Sequence, residues 1–320
     1  MSHATSLQQD LQGNQAIKKI IDKLPKVRGE YRENASLKNW FDVGGKAEIL
    51  FKPFDINDLQ SFLKNCPKEI SITILGAASN VIIRDGGVEG VVIRLGGEFA
   101  TITVHDEFIT AGAAALCGNV ALYSRNASLS GMEFLTGIPG SIGGAIAMNG
   151  GCYGADMSQI ITTVRALDYQ GNMHELKNED FGFYYRGSKI AANFIFVEAI
   201  LKGLKSTPEE VSKKIAELNH KREEAQPIRA KTGGSTFKNP STQKSAWQLI
   251  DEAGYRGAMV GDAQISPKHC NFMINTKKAR AIDLIELGDK VKDAVKAKTG
   301  VNLEWEIKII GKNLDQTDKN

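Results

Sequence analysis

The chain has 320 residues, enough for two or three domains rather than one small core. Hydrophobic residues make up 42% and charged residues 24%, the balance of a soluble globular protein. A net charge of +3 leaves no electrostatic footprint for nucleic acid, and no apolar run is long enough to cross a bilayer.

The opening MSHATSLQQDLQGNQ lacks the apolar core of a signal peptide, which predicts a cytoplasmic protein. In that reducing compartment Cys66, Cys117, Cys152 and Cys270, none in a C-x-x-C pair, are expected as free thiols. The histidines show no ligand spacing, so no metal site is expected.

Apolar residues at helical spacing predict an amphipathic helix over Leu7 to Leu24, followed by a polar break from Pro25 to Asn34. Ile70 to Leu75 reads as a strand. Asn80 to Arg84 and Gly90 to Leu95 read as two more, joined by a turn at Asp85-Gly86-Gly87, and Ala100 to Ala111 continues in β style. A helix is expected from Asn119 to Leu129. The densest glycine region then runs from Gly131 to Gly154, and strands return at Ile160 to Tyr169 and Asn193 to Leu201. Pro208 to Glu224 reads as a helix capped by Thr207. Gln226 to Pro240 reads as a polar loop. Helices follow at Ala246 to Ala253 and at Ala279 to Lys298, the latter stopped by Gly300. A last strand is expected from Asn302 to Ile310, and a polar, frayed tail after it.

No two glycines are separated by a single residue, so there is no G-x-G-x-x-G, and no G-x-x-x-x-G-K occurs. A standard dinucleotide fold or P-loop is therefore disfavoured, and any nucleotide or flavin must be held another way. Leu75-Gly76-Ala77-Ala78-Ser79-Asn80 is either a plain β-turn or a turn whose small side chains let backbone amides approach an anion. Gly137 to Gly151 holds six glycines and a proline, which rules out an ordinary helix or strand. A linker would expose Ile138, Ile142, Ile146 and Met148, so a buried loop folded against a planar or phosphorylated ligand is the competing reading. Gly233-Gly234-Ser235-Thr236-Phe237-Lys238-Asn239-Pro240 offers a hydroxyl, an ammonium and an amide on one turn, where Ser235 alone reads as a turn residue. In the last strand Leu303, Trp305, Ile307 and Ile309 alternate with Glu304, Glu306 and Lys308. Both carboxylates are therefore expected on one face, solvated or aimed into a cleft.

Seven motifs, in this order and at these intervals, resemble the UDP-N-acetylenolpyruvoylglucosamine reductase (MurB) family from about Asn39 to Gly311. They are Phe41-Asp-Val-Gly-Gly45, Leu75 to Asn80, Gly137-Ile-Pro-Gly-Ser-Ile-Gly-Gly144, Tyr185-Arg186-Gly-Ser188, Gly234 to Pro240, His269-Cys-Asn-Phe272 and Leu303-Glu-Trp-Glu-Ile307. The resemblance implies an α+β fold of three domains, two forming a vanillyl-alcohol-oxidase-type FAD-binding fold and one an α/β substrate-binding domain. It places an N-terminal extension at 1–24 and a first FAD subdomain at 25–98, joined by the returning strand 303–311. The second FAD subdomain is placed at 99–204, the substrate domain at 205–302 and the tail at 312–320. The short stretch between Arg186 and Asn193 is similar to the shorter subclass, which lacks an inserted tyrosine-bearing loop. There are two departures: Ala78 replaces the second glycine of the usual G-x-G-S, and Trp247 stands where the family has glycine after alanine.

The implied chemistry adds hydride and a proton across an enol-ether double bond beside a carboxylate, with FAD bound and NADPH as co-substrate. Implied FAD ligands are Gly76, Ala77, Ser79, Asn80, Gly137, Gly140, Ser141, Gly143, Gly144 and Arg222. Arg186 would hold the substrate carboxylate with its planar fork. Glu306 would assist it or act as a protonated acid, and Ser235 would donate the proton. Tyr185, Lys238, Asn239, His269 and Asn271 are implied for the UDP-sugar. Two alternatives stand beside this reading: another FAD-dependent oxidoreductase of the same superfamily, and a non-catalytic nucleotide- or flavin-binding protein. The sequence says nothing of oligomeric state.

Overall fold

In residues 46–52, KAEILFK, Ala47, Ile49 and Phe51 are buried on one face and Leu50 on the other, as suits a strand inside the first sheet. A computed structural model of the chain describes residues 20–241 and 243–314. Most of the expected N-terminal helix and the end of the tail lie outside these residues. Within them, Ile20, Ile21 and Leu24 pack against the first core.

That sheet comprises β1 (Glu30–Ser36), β2 (Lys46–Lys52), β3 (Ile72–Ile74) and β5 (Val88–Ile93), in the order β1-β2-β5-β3. β1 pairs antiparallel to β2, whereas β2 and β3 both run parallel to β5. The polar break expected at 25–34 is corrected here, because EYRENAS is an edge strand whose charged, solvent-facing residues discourage pairing with another chain. Helix α1 (Ile56–Asn65) covers the sheet with Leu59, Phe62 and Leu63, and Asp55 caps its start.

The second sheet is antiparallel. Its strands β6 (Ile102–His105), β7 (Phe108–Gly112), β8 (Ile161–Asp168), β9 (Met173–Lys177) and β10 (Phe194–Lys202) take the order β9-β8-β10-β7-β6. Helix α2 (Cys117–Asn126) packs on it. The glycine-rich stretch contains a helix after all: α3 (Ile142–Ala147) buries Ile142, Ala145 and Ile146. Its two glycines are tolerated because tertiary packing outweighs their helix propensity. Leu167, Ile195 and Val197 of the second sheet reach into the first core, so the two units are wedded through apolar contact.

The chain then enters α4 (Pro208–Ala225), whose Glu210 N–H donates to the Thr207 hydroxyl as the sequence predicts. The third sheet is antiparallel, ordered β11 (Lys231–Ser235), β14 (Phe272–Asn275), β13 (Ala263–Ile265), β12 (Met259–Val260). β11 corrects the loop expected at 226–240: KTGGS carries no strand signature of its own and is held by pairing with β14. Helices α5 (Ala246–Glu252) and α6 (Ala281–Thr299) back this sheet, and Gly300 ends α6 in the left-handed region. The returning segment is a strand only at β15 (Lys308–Ile310), parallel to β4 (Val81–Ile83). The third core takes in Phe41, Val43 and Ile82 from the first unit.

Asp85, in the turn after β4, accepts from the Ala281 and Ile282 N–H groups at 2.9 and 3.0 Å, capping α6 from a distant part of the chain. Asp85→Ala is expected to lower unfolding stability by about 1 kcal/mol, read as a shift in denaturant midpoint at unchanged slope.

Candidate active site

Four segments distant in sequence meet around Glu306. Its N–H donates to the Thr236 carbonyl at 2.9 Å, which places it beside Ser235. Its Oε1 accepts from Arg186 Nε at 3.0 Å, and both side chains are largely buried. Burial raises the Glu306 carboxyl above its ordinary range, against the opposing pull of Arg186 and Lys238. Arg186 is the third residue of a tight turn closed by hydrogen bonds in both directions between Tyr184 and Gly187. Its φ of +60° is a conformation normally left to glycine, so backbone strain is accepted to aim this guanidinium. Tyr185 lies against the guanidinium, 5.1 Å from ring centroid to Cζ.

The alternation expected of Glu304 and Glu306 does not hold. Glu304 is 75% exposed and pairs with Lys238, whereas Glu306 is 12% exposed. The ladder of β15 begins only at Lys308, so the period of two does not govern these residues.

Ser235 ends β11 after Gly234, whose φ is +82°. No hydrogen bond ties its hydroxyl to another described residue. A Cβ at Gly233 would lie 2.3 Å from the Phe41 ring, so the Phe41 motif serves as the floor of this loop. Asn271 is buried, and its amide both accepts from the Phe237 N–H and donates to the Phe237 carbonyl. In the structure these bonds brace the Ser235 loop. Asn239 accepts the Ala246 N–H at 3.0 Å, and its own N–H meets the Tyr185 hydroxyl at 3.4 Å. His269 Nδ1 accepts from the Asn271 N–H and burial lowers its pKa, leaving a neutral ring with Nε2 as donor.

The two glycine-rich segments pack against each other and together line a cleft of about 410 Å³. A Cβ on Gly76 would stand 2.8 Å from Ser141 Oγ, and one on Gly140 would stand 3.2 Å from Ser79 Oγ. Gly76, Ala77, Ser141, Gly143 and Gly144 line the cleft. Gly137 is packed on Cys152 instead, and Arg222 lies beside it, donating to the Thr136 carbonyl at 3.2 Å. Ala78 has φ +53° and is buried, so the usual glycine there answers a backbone requirement rather than room for a ligand. Asn80 donates from Nδ2 to the Glu306 carbonyl at 3.0 Å and contacts Met148 Sδ at 3.2 Å. Arg94 was not anticipated. Among the described residues it is the one charged side chain lining the cleft, bound to the Gly76 and Lys38 carbonyls, and the signal was a lone arginine closing an apolar strand.

Comparison with known proteins settles the family. The model described as UDP-N-acetylenolpyruvoylglucosamine reductase, C-terminal domain, matches residues 226–310, and that of an FAD binding domain matches 47–177. The UDP-N-acetylenolpyruvoylglucosamine reductase of Paramagnetospirillum magneticum is 47% identical over 292 residues, covering 91% of this chain and 95% of that one. This chain belongs to the UDP-N-acetylenolpyruvoylglucosamine reductase family. The reductase of that name from Rickettsia akari is 48% identical, covering 90% of this chain and 98% of that one. The crystal structure of the Thermus caldophilus reductase (MurB) is 34% identical with a TM-score of 0.77, covering 89% of this chain and all of that one. The 6-hydroxy-D-nicotine oxidase of Arthrobacter nicotinovorans, at 9% identity and a TM-score of 0.54, shares the fold alone.

As in its family, the cleft fits an FAD. It is apolar-walled, glycine-edged and of the right order of size for part of such a ligand. Trp247, the departure from the family pattern, is 40% exposed and stands 6.2 Å from the His269 ring.

The cleft also gives a test of FAD placement. A Cβ on Gly143 would meet Ala113 at 2.9 Å and disturb the fold, whereas one on Gly144 meets only Ser141 Oγ at 3.6 Å. Gly144→Asp is therefore expected to yield folded, colourless protein, because a carboxylate would occupy the cleft. Full flavin absorbance in that variant would move the cofactor elsewhere.

Proposed function

We propose that this chain is an FAD- and NADPH-dependent reductase that converts UDP-N-acetylglucosamine enolpyruvate to UDP-N-acetylmuramate for peptidoglycan precursors. The observation that carries the reading is the Arg186–Glu306 pair, joined through Thr236 to Ser235. FAD would lie against Gly76, Ala77, Ser79, Ser141, Gly143 and Gly144, with Arg94 lending positive charge, and Gly137, Gly140 and Arg222 on the side of the second segment. Bound there, it supplies the hydride obtained from NADPH.

Negative charge then builds on the carbon next to the substrate carboxylate. Arg186 offers that carboxylate its two remaining nitrogens, since Nε is engaged by Glu306. Glu306, with its carboxyl raised by burial, holds a proton more readily than a surface glutamate and fixes the guanidinium plane. Ser235, with an untied hydroxyl, donates the proton to carbon. Lys238 meets the diphosphate, with Tyr185, Asn239 and His269 on the same side. Domain limits of 25–98 with 303–311, 99–204 and 205–302 accord with this division of labour. A nucleotide sugar and NADPH as substrates put the reaction in the cytoplasm. Among the described residues, no helix is long and apolar enough to cross a membrane.

In anaerobic solution NADPH should bleach the yellow protein, and the enolpyruvyl UDP-sugar should restore the colour. A flavin that stays reduced after addition of that sugar sinks the proposal.

A further inference from the structure

We infer that Asn80 is a positioning residue for Glu306 rather than a side-chain ligand of the cofactor. The inference rests on the reductase reading above. Asn80 closes the first glycine-rich turn, whose Gly76 and Ala77 line the cleft, where a phosphate ligand would be expected. Its amide nitrogen has two hydrogens, and both are committed: one to the Glu306 carbonyl at 3.0 Å, the other to Met148 Sδ at 3.2 Å. What remains is Oδ1, an acceptor, which has the wrong polarity for a phosphate. Flipping the amide would set Oδ1 against a carbonyl oxygen and a thioether, both acceptors, so the orientation is dictated by its surroundings.

The need for such a bond lies in the path of the chain. Trp305 makes an isolated bridge to Phe237, and the β15 ladder starts at Lys308. Glu306 falls in the gap between them. Thr236 holds its N–H from one side, and Asn80 holds its carbonyl from the other. The Asn80 carbonyl accepts the Lys308 N–H at 3.1 Å, which anchors the same residue at the start of the ladder. The contact between Glu306 and Arg186 is a single one, through Nε, so a small rotation of the Glu306 backbone breaks it. Asn80 thereby ties the end of the first glycine-rich turn to the carboxylate that aims Arg186.

The test is Asn80→Ala in the FAD-loaded protein, with Asn80→Asp as a second variant that keeps shape but removes both donors. FAD content should stay at the wild-type level, and flavin reduction by NADPH should stay within about threefold. Reoxidation by the enolpyruvyl UDP-sugar should fall roughly tenfold to a hundredfold, the scale of a misplaced catalytic group. A crystal structure of either variant should show Glu306 out of reach of Arg186 Nε. FAD loss with both steps slowed together would make Asn80 a cofactor ligand. Unchanged rates and an unmoved Glu306 would make its bond idle. Wild-type protein that is not reoxidised by the sugar overturns the reductase reading instead, and the position of Glu306 in the variants still decides the role of Asn80.

Discussion

Replacing Ser235 with alanine is expected to leave flavin reduction by NADPH within a small factor of wild type. The same change should slow reoxidation by the enolpyruvyl UDP-sugar roughly a hundredfold or more, the usual scale for a lost general acid. The asymmetry follows from the chemistry. Hydride arriving from NADPH needs no proton at the position of Ser235. Reduction of the substrate does, because the carbon next to its carboxylate must be protonated. The structure lends the hydroxyl to this task, since no described residue binds it, while the N–H, carbonyl and hydroxyl oxygen of Thr236, one residue on, are engaged by Asn271, Glu306 and Met273. Ser235→Cys should recover part of the loss, because a thiol also donates. Stopped-flow absorbance separates the two steps. Equal slowing of both would make the hydroxyl a structural group.

The parts of this site that were legible in the sequence are those where a residue type has few uses. Paired glycine-rich turns without a dinucleotide fingerprint meant that any flavin must be held another way, and Gly76 and Ser141 do meet, closely packed, at the edge of one cleft. What the sequence hid were properties conferred by partners. Glu304 and Glu306 look alike in Leu303-Glu-Trp-Glu-Ile307, yet only Glu306 is buried, because Arg186 reaches it from 120 residues away. Asn80 and Asn271 carry the same amide as any ligand-binding asparagine, and only geometry shows those amides committed to backbone. Edge strand β1 is polar because it faces water, and β11 is glycine-rich because Phe41 packs on Gly233. Both break the period on which strand recognition depends. Gly300 and Thr207 were readable because caps act within a few residues.

Arg186 should show a loss that depends on pH in stability and on step in catalysis. Arg186→Lys keeps the charge, but a single ammonium cannot bind Glu306 and present a fork to a carboxylate. Substrate reduction should therefore slow by roughly a hundredfold, with much less effect on UDP-sugar binding, because the contact strengthens as charge develops. An equal loss in binding would assign Arg186 to ground-state recognition. Arg186→Ala tests the electrostatics of the pair. Burial raises the Glu306 carboxyl and Arg186 opposes that rise, so without Arg186 it climbs further. A carboxyl whose folded pKa lies above its unfolded value stabilises the fold fully below the unfolded pKa, about 4.3. That contribution is lost as pH rises through the folded pKa. Relative to wild type, Arg186→Ala should thus be near neutral in stability at acid pH and destabilised by about 1–3 kcal/mol at pH 8, where a buried carboxylate is left without its partner. Adding Glu306→Gln should abolish the pH dependence of the difference. If denaturant melts of Arg186→Ala and wild type differ by the same amount across this range, Glu306 is not the buried titrating group that the geometry makes it.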